Sequence, residues 1–171
     1  NGKYRMKITF VYPDFSNLGV QYLMGVCLRE GHDTNLVHYP AEDIFINRKS
    51  DDLRYRALAE RILATNPDLV GFSCVTDNYL YQLDCAKALK ALATDVPVIF
   101  GGIHVTAVPE IVLKESVVDA IGIGEAEVSF TEFLKACDND GKFIWPDRPI
   151  DGMVFKKGDQ LIGEFREGAL P

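Results

Sequence analysis

The sequence predicts an α/β domain built on a five-stranded parallel sheet with helices on both faces. Three observations lead there: five apolar, β-branched runs, a longer amphipathic segment after each, and glycines where several of the runs end. The runs lie at residues 7–12, 35–38, 69–73, 98–100 and 120–123. The helical segments lie at residues 19–30, 51–65, 80–93, 109–115 and 126–137.

The boundaries have local causes. Gly31 closes the first helix, where a left-handed residue ends the hydrogen-bond ladder. Pro67 and Pro97 stand just ahead of the third and fourth strands, where a helix must already have stopped. Five right-handed βα units of this size give an open sheet in the order 2-1-3-4-5, the flavodoxin/Rossmann-like arrangement. Ligands then bind over the carboxyl ends of strands 1, 3, 4 and 5. Past residue 140 the pattern changes: Trp145, Pro146, Pro149 and Gly152 make a loop. Two short runs, 153–156 and 160–163, flank Lys157-Gly158-Asp159 and read as a C-terminal β-hairpin at a sheet edge. This divides the chain into an α/β domain at 1–140 and a hairpin with linker at 141–171, the last residues leading toward something longer.

Composition narrows the function. A chain of 171 residues, 47% hydrophobic and 25% charged, suits one globular domain with a real core. The net charge of −7 and the lack of a Lys/Arg cluster argue against nucleic acid as a partner. No apolar run is long enough to span a bilayer and no signal peptide is evident, so a cytoplasmic location is expected. Cys27, Cys74, Cys85 and Cys137 are too dispersed for a zinc or iron–sulfur motif, and Cys27 and Cys85 read as small core residues. No Gly-x-Gly-x-x-Gly follows the first strand, which weakens a nicotinamide-binding reading. A phospho-acceptor receiver needs paired acids at the first strand end, and Asp14 stands alone.

The four turns over the sheet edge carry the remaining information. The first reads DFSNLG, from Asp14 through Phe15, Ser16, Asn17 and Leu18 to Gly19, with Asp14 or Ser16 as a simple helix cap the competing reading. The third strand ends in Ser73-Cys74-Val75-Thr76, where a serine finishing a buried strand is the alternative. The fourth leads into Gly101-Gly102-Ile103-His104. Paired glycines suit either a bulky ligand close to the backbone or a tight turn. The fifth leads into Gly122, Gly124 and Glu125, which strip side chains from the same rim. Glu125 and Glu127 then open a helix, where carboxylates suit the dipole.

Set together, these turns resemble cobalamin-binding domains over nearly all of residues 7–137. GGIHVTAVPEIVL and DAIGIGEAEVSF resemble the fourth and fifth units of the members that precede radical S-adenosylmethionine cores. The resemblance implies cobalamin as cofactor, held by Asp14 to Gly19, Ser73 to Thr76, Gly101 to His104, and Gly122, Gly124 and Glu125. In the family's Asp-x-His-x-x-Gly turn the histidine reaches the cobalt, and here Ser16 replaces it. The implied corrinoid is therefore base-off and without a histidine lower ligand, with no protein metal ligand and no catalytic residue in this chain. Ser73 would meet the buried base of the corrinoid tail, Val75 would line its slot, and His104 would donate to corrin amides or phosphate. His32 and His38 read as structural or solvated. Tyr12 and Phe15 border the first turn, and Asp77, Asn78 and Tyr79 read as a lid or packing surface.

The resemblance also implies a radical S-adenosylmethionine domain in the same polypeptide, most simply a methyltransferase, with a [4Fe–4S] cluster and S-adenosylmethionine. Its CxxxCxxC motif is absent from these residues, so this chain by itself is expected to be non-catalytic. The rival of a different class is a non-catalytic binding or sensing module for another tetrapyrrole, a flavin or a protein partner.

Overall fold

The computed structural model describes residues 4–45, 53–139 and 142–165. Its elements in order are β1 (Lys7–Pro13), α1 (Leu18–Arg29), β2 (Asp33–Tyr39), a 3-10 turn (Ala41–Phe45), α2 (Leu53–Leu63), β3 (Leu69–Ser73) and α3 (Thr76–Leu92). After these come β4 (Val98–Gly101), α4 (Ile103–Ala107), α5 (Pro109–Lys114), β5 (Ala120–Gly122) and α6 (Ala126–Cys137). Two short strands, β6 (Asp138–Asn139) and β7 (Lys142–Phe143), pair with each other. β8 (Met153–Lys157) and β9 (Gln160–Ile162) form the last hairpin.

The main sheet has seven strands in the order β2-β1-β3-β4-β5-β8-β9. It is therefore mixed, a correction to the expected five-stranded, all-parallel sheet. β8 runs antiparallel to β5, with Ala120 opposite Phe155 and Gly122 opposite Met153. The physical reason is edge protection. A bare β5 would leave a row of backbone groups unpaired, and β8 supplies both the partners and three buried apolar residues, Met153, Val154 and Phe155.

Period-two alternation splits the core across the sheet. Ile8, Phe10 and Tyr12 point toward α1 and α6, with Phe130, Phe133 and Leu134 packed on them. Val11, Val70, Phe72, Val98 and Phe100 point the other way, toward α2, α3 and α5. At the amino ends of the strands, Lys90 of α3 reaches Asp119 at 2.6 Å and also donates to the carbonyls of Thr94 and Val96. Asp119 in turn accepts from the Val98 amide at 2.7 Å, so one ion pair ties α3 to the starts of β4 and β5.

Two helices depart from the expected pattern. α3 starts at Thr76 rather than residue 80, because Asn78 Oδ1 accepts from the Val75 amide at 2.9 Å and Asp77 suits the first turn. Asn78 and Tyr79 are consequently buried in a helix instead of forming a lid. The five-residue α4 has no counterpart in the expected pattern; it begins directly after Gly102.

All four cysteines are buried free thiols. Burial raises each of them, Cys27 and Cys74 to about 12, against an ordinary value of 9.0. The folded state thus favours the neutral thiol: its contribution is full below pH 9.0 and is lost as pH rises toward 12. Urea unfolding at pH 8, 10 and 11 should show stability falling by up to about 1.4 kcal/mol per pH unit per thiol. A Cys27→Ala/Cys74→Ala double variant should show a shallower fall. Equal slopes in the two proteins would contradict this account.

Candidate functional site

The site begins with what β3, β4 and β5 lack. On the α1/α6 face, near the carboxyl ends of these strands, stand Gly71, Ser73, Gly101 and Gly122, with Ser73 directly opposite Gly101. A sheet buried on both faces normally carries bulky apolar residues there. Without them the sheet floor sinks beneath the two helices. A Cβ at Gly101 would meet nothing within 4 Å, whereas one at Gly71 would lie 3.1 Å from the Phe10 ring.

The resulting slot is narrow, with a volume of about 60 Å³. Leu23 of α1 and Phe130 of α6 roof it, Ile99 and Phe10 line its depth, and Met153 of the hairpin closes one side. Ser73 is the only polar side chain among its lining residues. Its carbonyl accepts from buried Gln82 Nε2 at 3.0 Å, which holds the end of β3 from the opposite face of the sheet.

Toward the carboxyl rim the slot opens into a wider hollow of about 220 Å³, sharing Leu23, Ser73, Gly102 and Ala126 with it. Gly19, Ile103, Thr106, Gly124, Glu125 and Glu127 complete this mouth. Thr106 joins its two glycine loops: its hydroxyl donates to the Gly102 carbonyl at 3.2 Å and accepts from the Gly124 amide at 2.9 Å.

The paired glycines have separate explanations. Gly102 sits at φ +101, and a Cβ there would lie 2.6 Å from the Cys74 carbonyl oxygen, so its glycine is demanded by the chain's own turn. Gly101 has no such neighbour and keeps the floor open.

The first turn forms a second hollow of about 260 Å³, lined by Tyr12, Asp14, Phe15, Ser16, Asn17 and His38. Neither Asp14 nor Ser16 caps α1. Asn17 does, its Oδ1 accepting from the Val20 amide at 2.8 Å. Asp14 instead accepts from the Ala41 amide at 3.0 Å, pinning the turn to the exit of β2. Ser16 is exposed, and Phe15 is 48% exposed with its ring edge-on to buried Tyr12. His38 belongs to this hollow too, its Nδ1 3.0 Å from the Pro13 carbonyl oxygen.

The structure therefore gathers Gly19, Ser73, Gly101, Gly102, Ile103, Gly122, Gly124 and Glu125 around one trough, and Asp14 to Asn17 around its neighbour. Leu18 points into a groove between α1 and α6. Cys74, Val75, Thr76 and His104 line neither space. Cys74 is buried beside Gly101, Val75 and Thr76 begin α3, and His104 stacks on Tyr79 with its Nδ1 3.2 Å from the Thr76 hydroxyl. Partial burial lowers the His104 pKa from its ordinary value, which favours the neutral ring.

Sequence reasoning does not single out Gly71, Thr106 or the apolar lining residues Leu23, Phe130 and Met153. Gly71 was within reach, because it lies two residues before Ser73 and therefore on the same face. Among the described residues no group of three His, Cys, Asp or Glu side chains could hold a metal ion. None of the described helices is long and apolar enough to cross a membrane.

Residues 6–134 match the family described as the B12 binding domain. The chain belongs to this family. It is 33% identical over 148 residues to an uncharacterized methyltransferase of Pyrococcus horikoshii, covering 86% of this chain and 29% of that protein. It is 26% identical over 169 residues to the anaerobic magnesium-protoporphyrin IX monomethyl ester cyclase of Cereibacter sphaeroides, covering 92% and 26%. A third relative, the cobalamin-dependent radical SAM methyltransferase TokK of Streptomyces tokunonensis, is 38% identical over 107 residues, covering 61% and 15%. The fold matches the radical S-adenosylmethionine methyltransferase TsrM of Kitasatospora setae with a TM-score of 0.69 at 15% identity, over 91% of this chain and 29% of that one. It matches the cobalamin-dependent radical enzyme OxsB with a TM-score of 0.67 at 13% identity, over 94% and 22%. The chain thus spans less than a third of each of these proteins.

The slot's lining is apolar except for the one hydroxyl at Ser73, which can donate, and the glycine rim leaves backbone open to close approach. Gly102 is the position where this rim is least tolerant of change. Gly102→Ala should lower stability by about 2 kcal/mol in urea unfolding, while Gly101→Ala, with open space around it, should change stability far less.

Proposed function

We propose that this chain holds cobalamin base-off and without a histidine beneath the cobalt, as the corrinoid-carrying module of a radical S-adenosylmethionine enzyme. The observation that carries the reading is the slot roofed by Leu23 and Phe130, opening at the carboxyl rim with Ser73 as its one polar side chain.

In this reading Ser73 donates to the nitrogen of the displaced lower base, and Gln82 fixes the Ser73 backbone so that the hydroxyl is presented at the slot. Gly19, Gly101, Gly122 and Gly124 let the macrocycle and its linker approach the main chain, and Thr106 keeps the two rim loops at a constant separation. At about 60 Å³ the slot has room for about two waters, so Leu23 and Phe130 must move apart to admit a two-ring base. When bound, cobalamin would supply a methyl carrier whose upper face is turned toward the rest of the polypeptide.

Ser16 stands in the turn where the family carries histidine, and a neutral hydroxyl is a much weaker ligand than imidazole; His38, across the same hollow, has its Nδ1 on the Pro13 carbonyl oxygen. The larger enzyme is proposed to be a methyltransferase carrying a [4Fe–4S] cluster and S-adenosylmethionine in a following domain. The kinship with TokK and with the Pyrococcus methyltransferase supports this.

Mixing the protein with hydroxocobalamin and removing free ligand by gel filtration should leave a protein peak with corrinoid absorbance. Ala126→Trp, which puts an indole across the junction of slot and mouth, should weaken binding at least about tenfold with an unchanged circular dichroism spectrum. Native protein that emerges colourless would remove the reading. The axial claim has its own readout. Electron paramagnetic resonance of the bound cobalt(II) should lack strong nitrogen hyperfine splitting, and Ser16→His should introduce it. Strong splitting in the native protein would contradict a histidine-free lower face.

A further inference from the structure

Resting on the cobalamin reading, we propose that the slot selects the lower base of the corrinoid: it accepts an alkylated benzimidazole and rejects a purine. Corrinoids share one macrocycle and differ in this base, so the slot would decide which of them the protein can use.

The selectivity rests on unpaired polar atoms. A dimethylbenzimidazole displaced from cobalt carries one free ring nitrogen and otherwise only carbon. The slot offers one hydroxyl, on Ser73, and no other polar side chain along its lining. The rest of the wall is hydrocarbon, thioether or glycine: Phe10, Leu23, Ile99, Phe130 and Met153 over the glycine floor. Phe10, Ile99, Phe130 and Met153 are all buried to within a few per cent, so water has little access to this depth.

An adenine base in the same place would present its cobalt-facing nitrogen to Ser73 and then bury two further ring nitrogens and an exocyclic amine against those side chains. Backbone rescue is restricted as well. The slot's edges are consumed by the β-ladder, in which Ser73 pairs with Gly101 and Gly122 with Met153. The Ser73 carbonyl already accepts from Gln82. Each buried group left without a partner costs enough to weaken binding about tenfold, and a purine brings several.

Met153 is the residue through which this selectivity can be altered. It lies on the hairpin strand β8, its sulfur 3.6 Å from the position a Cβ at Gly122 would take. Met153→Gln has similar length and places an amide in the wall, the group that pairs bidentately with an adenine edge.

The experiment is a pair of equilibrium titrations of the 171-residue chain, one with cobalamin and one with the cobamide whose lower base is adenine, followed by corrinoid absorbance. The native protein should bind cobalamin at least about tenfold more tightly. Met153→Gln should shrink that ratio, by weakening cobalamin and strengthening the adenine form, with thermal unfolding reporting whether the variant is folded. Equal affinity for the two corrinoids, or preference for the purine form, in the native protein overturns the selectivity and leaves cobalamin binding standing. Binding of neither overturns the cobalamin reading and this inference with it.

Discussion

A parallel sheet covered on both faces is held together by large apolar side chains meeting the helices above and below, and each omission must be made good by something else. On one face of β3, β4 and β5 the carboxyl ends carry Gly71, Ser73, Gly101 and Gly122, and the helices above them are not in contact with a filled floor. The void this leaves organises the surrounding structure. Leu23 and Phe130 span it, Phe10 lies over Gly71, and the hairpin that pairs with β5 brings Met153 to its open side. A ligand able to fill the slot would therefore recover packing that the protein alone does not make.

The other face of the sheet is built for the opposite purpose. There Phe72 stacks on Phe100, and Tyr39 on Tyr81, in a filled core under α2 and α3. Gln82 crosses from that side to hold the Ser73 carbonyl. At the far end of the strands Lys90 and Asp119 lock α3 to β4 and β5. The sheet is thus underfilled on one face only, with a close-packed core on the other.

The sequence exposed the recurring βα pattern, the C-terminal hairpin and the rim glycines, because each depends on local chemistry: β-branched runs, proline stops and residues suited to tight turns. It failed where one residue's role is set by a distant neighbour. DFSNLG offered Asp14 or Ser16 as the cap, and only the folded turn shows that Asn17 takes that role while Asp14 is occupied by the Ala41 amide. Gly101-Gly102 looked like one feature. Contact with Cys74 makes Gly102 a requirement of the turn and leaves Gly101 to the slot. His104 stood in a promising motif but turns to Tyr79, away from the trough.

What the sequence determined by itself was the recurring βα pattern, the C-terminal hairpin and the residues of the rim turns, since identity and spacing along the chain are enough for these. What only the tertiary structure decided was how those turns divide between two hollows, and that the hairpin contributes a wall of the slot. Those outcomes depend on register between strands and on which helix face lies over which row of small residues. Residues as far apart as Phe10, Phe130 and Met153 become one surface only when the sheet is assembled.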